Sequence, residues 1–309
     1  MIKNALNIFF CFFMLVSSSG AVEMQTYRGP EITVRYQVPL SGPAERIGSH
    51  YKKARTDIET KLGWQLHSDP SVVLIGDNKV FQEMVRNKLV TAFAVPEKNL
   101  IVIDYSRMDR IPFDLEDTLK HELSHLLLHQ QIAPPLLPKW LDEGVSQWAS
   151  GGIADILHTG EKDILRQAVL SSRLIPLTGI SMIFPDTDWG LMLAYEESKS
   201  IVEFILHRYG EENLRLILHG LENQRTIDQA LYAVLGTRLD TLEQTWKKGL
   251  SRESSWISYV ADHISWVLFF LAALITVAGF CVVKRRIKNY RDEEDGEGAE
   301  ESGGQQTEE

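Results

Sequence analysis

The pentapeptide His121-Glu122-Leu123-Ser124-His125 constrains this 309-residue chain more than any other feature. Two histidines four apart lie one turn apart on the same face of an α-helix, so both imidazoles reach a single metal ion. Glu122, beside the first histidine, then reaches a water held by that ion and acts as its general base. Such a helix must carry a buried polar face and a separate apolar face. At 100° per residue, Leu115, Leu119, Leu123, Leu126 and Leu127 fall in one stripe, and His121 and His125 lie outside it. Asp114 stands where an N-cap is needed, with Asp117 three residues on in the capping-box position.

A zinc site of this kind needs a third protein ligand. His129 continues the four-residue series, but it sits about 12 Å along the axis from His121, too far to share one ion. It reads as a surface or capping histidine. Glu143, in Lys139-Trp140-Leu141-Asp142-Glu143-Gly144, is the stronger candidate. Pro134, Pro135 and Pro138 force a turn between the two segments. A second helix over 139–149 then crosses the first and delivers a carboxylate. Asp142 points about 100° away from Glu143 on that helix, so only one of the two can face the metal. Gly144 leaves room for a close helix approach.

The rest of the body reads as strands first and helices later, an α+β pattern. A strand is expected over 31–38, a helix over 42–62 stopping at Gly63, a strand over 72–75 and a helix from about Lys79 to Leu89. Thr91 to Val95 and Leu100 to Tyr105, split by Pro96-Glu97-Lys98-Asn99, look like a hairpin. From Phe113 to about Leu250 the pattern is mostly helical.

Both ends read as topogenic. Residues 1–21 have the form of a signal peptide: Lys3, an apolar stretch from Ala5 to Val16, then small residues ending at Ala21. Ile264 to Val283 is twenty residues without a formal charge, about 30 Å as a helix, which matches the hydrocarbon core of a bilayer. Lys284-Arg285-Arg286 and Lys288 follow at once and mark that end as cytoplasmic. The reading is therefore a signal peptide (1–21), an extracytoplasmic domain (22–263), one transmembrane helix (264–283) and a disordered Gly/Glu-rich cytoplasmic tail (284–309). Residues 22–283 hold 26 bases and 33 acids, which argues against a nucleic-acid partner. The two cysteines, Cys11 and Cys281, lie in apolar runs at opposite ends, so the body has neither a disulfide nor a cysteine metal cage. With no Asn-x-Ser/Thr sequon, this points to a bacterial periplasm.

HELSH followed by Trp140-Leu141-Asp142-Glu143-Gly144 resembles the glutamate-zincin (gluzincin) metallopeptidases, more narrowly their peptidase MA-like members. Other stretches fit the same group over roughly 70–250: Ile175-Pro176-Leu177, Ala194-Tyr195-Glu196-Glu197-Ser198 opening a helix that ends at Arg208-Tyr209-Gly210, and Ile227-Asp228-Gln229-Ala230-Leu231 leading to Leu235-Gly236 and Trp246. The resemblance implies a zincin-like domain with an N-terminal mixed sheet and a C-terminal helical half. It implies one zinc ion on His121, His125 and Glu143, with Glu122 as base and Tyr195 as an oxyanion stabiliser. The implied activity is hydrolysis of protein or peptide substrates; with the apolar segment at 264–283 the chain reads as a membrane-anchored endopeptidase, and a substrate is expected to add as an edge strand along Leu100 to Tyr105. The alternative is a zincin-fold binding or assembly protein without activity. Three departures stand out. The interval from His125 to Glu143 is slightly short, no Gly-x-Met-Glu-Asn motif precedes the helix, and Gln147 stands where some relatives have an acid. The partners that orient the histidines are left unassigned.

Overall fold

The structure, a computed structural model, describes residues 24–85, 87–108, 114–151, 164–253 and 264–301. The expected signal peptide lies outside them, as do residues 254–263. The described chain divides into two units, one reaching Ser251 and one from Arg252.

The first unit opens with a five-stranded mixed sheet: β1 (Met24–Arg28), β2 (Thr33–Gln37), β3 (Ser71–Ile75), β4 (Ala92–Val95) and β5 (Leu100–Asp104), in the order β1-β2-β3-β5-β4. β2, β3 and β5 run parallel, and β1 and β4 are antiparallel edges. Helix α1 (Ser41–Leu62) crosses between β2 and β3 and stops where Gly63 takes a left-handed φ of 77°. Helix α2 (Asn78–Val85) follows β3. Alternate residues of the central strands face opposite ways. Val72, Leu74, Ile101 and Ile103 join the large core, while Val73, Ile75 and Val102 pack with Phe81 of α2. Covering on both faces explains why β3 and β5 read as unbroken apolar runs.

The expected hairpin is present, with β4 paired antiparallel to β5. The structure corrects the placement of the substrate edge. β5 is paired on both sides, by β3 and β4, so the Leu100–Tyr105 segment cannot accept another strand, and β4 is the edge. The sequence did not mark β1, whose exposed residues lack an apolar face.

The helical half runs α3 (Leu115–Gln131), α4 (Lys139–Ala149), α5 (Ile164–Leu170), α6 (Asp188–Tyr209), α7 (Glu211–Glu222), α8 (Ile227–Leu235) and α9 (Leu239–Glu253). Asp114 caps α3 as expected, accepting from the amides of Glu116 (2.8 Å) and Asp117 (3.0 Å). The five leucines of the stripe are all buried. Helix α6 begins two turns earlier than the sequence indicated, at Asp188 under a Thr187 cap, so Tyr195 lies inside it rather than at its start. Helices α4 and α6 touch backbone to backbone at Gly144: a Cβ there would lie 2.2 Å from the Ser198 carbonyl oxygen.

The second unit contains α10 (Ile264–Glu301). Its stretch Ile264–Arg285, 22 residues, is by length and composition long and apolar enough to cross a membrane. The helix continues to Glu301, through most of the stretch expected as a disordered tail. Lys, Arg and Glu are good helix formers, and an apolar helix already nucleated propagates into them readily.

Glu197 of α6 is fully buried, with Oε1 accepting from the Ile175 amide at 2.8 Å and Oε2 unpartnered among the described residues. Burial pushes its carboxyl up to about 8, against the lowering effect of that amide. An acid whose folded pKa lies above its unfolded value stabilises the fold fully below the unfolded pKa. That contribution is lost as pH rises towards the folded one, at about 1.4 kcal/mol per pH unit. Denaturant titrations of Glu197→Gln are expected to show this slope flattened between pH 5 and 8, with the variant more stable than wild type at pH 8.

Candidate metal centre

α3 and α4 cross with the polar face of one against the N-terminal half of the other. His121 and His125 stand one turn apart, with ring centroids 4.7 Å apart and planes at 83°. Their Nε2 atoms are 3.1 Å from each other. Glu143 Oε2 lies 3.7 Å from His121 Nε2 and 3.5 Å from His125 Nε2. Ligand atoms bound at zinc distances in a tetrahedron sit about 3.3 Å apart. All three residues are enclosed by protein, and Glu143 Oε2 has no hydrogen-bond partner among the described residues. Lone pairs converging at such separations repel unless a proton or a metal ion is shared among them. The donor set, two imidazoles and one carboxylate, fits zinc.

The residues that orient this trio escaped the sequence reading. Asp142 turns away from Glu143, as expected for neighbours on a helix, and its Oδ1 lies 2.7 Å from His125 Nδ1. A carboxylate only accepts, so His125 Nδ1 carries the hydrogen and Nε2 presents its lone pair to the centre. Ser146 Oγ lies 3.2 Å from the same Nδ1. The second oxygen of Asp142 is 3.0 Å from His129 Nε2. His129 thus lies outside the cluster of His121, His125 and Glu143, and it is not the surface or capping group that the sequence suggested. It is partly buried and holds Asp142. The signal available in the sequence was the third histidine of the four-residue series facing an acid one position before the ligand glutamate. Gln147 binds the Tyr195 carbonyl through Nε2 at 3.2 Å and so ties α4 to α6 instead of orienting a histidine.

Lys139 closes the far side. Its Nζ is 2.8 Å from Glu143 Oε1 and 5.0 Å from the centre of the Phe184 ring. Its backbone amide bonds the Ser181 carbonyl at 2.7 Å, fixing the approach to α6 against the start of α4. Phe184 also meets the Tyr195 ring edge-on at 5.2 Å.

The electrostatics are those of a cation site. Burial alone would lower the pKa of His125, but the charges of Asp142 and Glu143 outweigh it and raise it well above the usual histidine value. Burial would raise Glu143, yet Lys139 and His125 hold it well below the usual carboxylate range. Asp142 is likewise held down, its burial outweighed by His125 and His129. Whatever draws a proton to this point draws a metal ion as well. Glu122 is buried at 2% exposure with its pKa raised by desolvation, a shift partly opposed by His121 and His125. Tyr195 is raised by burial and then by Glu143, so its phenol keeps its hydrogen.

A model of the peptidase MA superfamily matches residues 55–252, well over half of the chain. The protein belongs to that superfamily, and its fold is the α+β one that the sequence indicated. No curated protein sequence matches it. Among solved structures, it is similar to an M1 zinc metallopeptidase from Deinococcus radiodurans (14% identity, TM-score 0.46, covering 73% of this chain and 51% of that one). It is also similar to yeast LTA4 hydrolase (11% identity, TM-score 0.45, covering 72% of this chain and 39% of that one). The chain thus spans about half the length, or less, of these structures.

The arrangement separates the two neighbouring acids. Glu143→Ala is expected to abolish high-affinity zinc binding, whereas Asp142→Ala should weaken it about 10–100-fold, as loss of an orienting partner does. Competition against a chelator reads both, and metal release from the Asp142 variant alone would reverse the assignment.

Proposed function

We propose that the protein is a membrane-anchored zinc endopeptidase, with one zinc per chain held by His121, His125 and Glu143, that hydrolyses peptide bonds of extracytoplasmic proteins or peptides. The observation that carries this reading is the convergence of two imidazole nitrogens and a carboxylate oxygen at 3.1–3.7 Å beside the buried Glu122. Zinc bound there supplies a Lewis acid for the substrate carbonyl and lowers the pKa of a water in its open position.

The rest is done by this chain's side chains. Glu122 takes the proton from the attacking water on a carboxylate oxygen and passes it to the departing amine nitrogen. Its desolvated carboxyl holds a proton more readily than a surface glutamate, which suits a group that must carry one between two partners. Tyr195, kept protonated, donates its hydroxyl hydrogen to the oxyanion that forms on the substrate carbonyl. Asp142 keeps His125 in the tautomer that leaves Nε2 free.

Placement at a membrane rests on the apolar stretch at the start of α10 and the basic cluster after it. By the positive-inside rule the proposed topology has the domain that follows the signal-like segment on the outer side and the basic end cytoplasmic, and the absence of sequons and of body cysteines favours a periplasm.

The decisive variant is Glu122→Gln, which keeps size and hydrogen-bonding capacity but cannot take a proton. It is expected to retain zinc while peptide hydrolysis falls by about 10²–10⁴-fold or more. Metal content and casein hydrolysis are measured together on the full-length protein, and near-normal turnover with zinc bound would falsify the role.

Tyr195→Phe tests the second donor. It keeps the ring packing on Phe184 and removes only the hydroxyl. The expectation is a drop in kcat of roughly 10²-fold with zinc content unchanged. A kcat within a few fold of wild type would leave Tyr195 as a packing residue only.

A further inference from the structure

We infer that Lys139 is a positioning residue that keeps Glu143 bound to the metal through one oxygen, and so preserves the open coordination position. This rests on the zinc site proposed above. A carboxylate offers a metal either one oxygen or two, and a buried carboxylate oxygen without a hydrogen-bond donor turns to the nearest cation. In this structure the two oxygens of Glu143 face opposite duties. Oε2 is aimed at the two histidine Nε2 atoms at 3.5 and 3.7 Å, and Oε1 accepts from Lys139 Nζ at 2.8 Å.

The lysine is held where it can do this. It sits one turn before Glu143 on the same helix, its backbone amide is tied to Ser181 and its ammonium lies over the Phe184 ring. About a third of its side chain is exposed, against 6% for Glu143, so the lysine shields the carboxylate from water rather than being enclosed with it. Removing the ammonium has two consequences of the same sign for metal affinity. It deletes a positive charge near the cation, and it frees Oε1 to become a further ligand. The metal is then held no more loosely, but with a higher coordination number and a less electrophilic centre.

The test compares wild type, Lys139→Met and Lys139→Arg as full-length proteins. Met retains the apolar stem on Phe184, and Arg retains a charged donor. Zinc affinity is read by chelator competition, and coordination by the visible absorption of the cobalt(II)-loaded proteins, which is intense for four ligands and weak for more. The expected result for Lys139→Met is zinc affinity equal to or tighter than wild type, weakened cobalt absorption and turnover lowered about 10–100-fold. Lys139→Arg should keep the wild-type spectrum. A wild-type cobalt spectrum in Lys139→Met overturns the inference, and so does outright loss of zinc, which would mean that the lysine merely holds the helix together. Should Lys139→Met not fold, Lys139→Gln, shorter and neutral, carries the same comparison. A wild-type protein that takes up no zinc sinks the metal site itself, a failure distinct from a zinc-loaded wild type with an unaltered variant spectrum.

Discussion

The structure depends on how four ionisable groups are tolerated at the crossing of α3 and α4. His121, Glu122, Asp142 and Glu143 are each less than a tenth exposed, amid side chains such as Leu123, Trp140, Leu141 and Val145. Isolated charges in such surroundings are strongly unfavourable, so each must find a partner. Asp142 lies between His125 and His129, Glu143 between Lys139 and the histidine pair. The leucine stripe of α3 buries the helix from one side and leaves its polar face with nowhere to go but α4. Close contact of α4 with α6 at Gly144 then fixes the depth at which Glu143 sits. Core packing and the site are thus one problem: apolar faces set the helix positions, and those positions set the donor separations.

Much of this was legible because local chemistry decided it. The bounds of α4 follow from Pro138 before it and a compact amphipathic run after it, and those of α1 from Gly63, whose left-handed conformation few other residues accept. The His pair and Glu143 needed only helical spacing and a proline-forced turn. The failures are all matters of tertiary context. Which strand of the β4–β5 hairpin forms the sheet edge depends on which one pairs with β3, and both runs are apolar enough for either. β1 is held by pairing along one side of β2 and has no burial pattern of its own to read. The start of α6 was missed because Gly190 and the preceding Pro185 look like a loop. Pro185 in fact packs where a Gly190 Cβ would be, so the glycine is there for space.

The orienting residues teach a more specific lesson. Asp142 and His129 both stand outside the cluster of His121, His125 and Glu143. Their place follows from helix geometry. A residue next to a ligand on a helix points about 100° away from it. At a helix crossing, that direction leads to the flank of the neighbouring helix. For Asp142 the flank is the Nδ1 side of His125, and one turn on it is His129. The four-residue histidine series therefore does two jobs, the first two members facing inward to Glu143 and the last two sharing the Asp142 carboxylate from behind.

Lys139, Glu143 and Gln147 form the corresponding series on α4. The middle member faces the two histidines, the first holds its second oxygen and the last bonds the backbone of α6 at Tyr195. Tyr195 is thereby linked to the ligand helix through its carbonyl, and its ring is set edge-on against Phe184, the residue that the Lys139 ammonium overlies. A displacement of α6 along its axis would move the phenol and disturb the donor of Glu143 together, because both lean on Phe184. The position of the Glu143 carboxylate and that of the Tyr195 ring are in this way set by the same contacts. That accounts for the tight Gly144–Ser198 approach at the centre of the pair, where even one methyl group would drive the two helices apart.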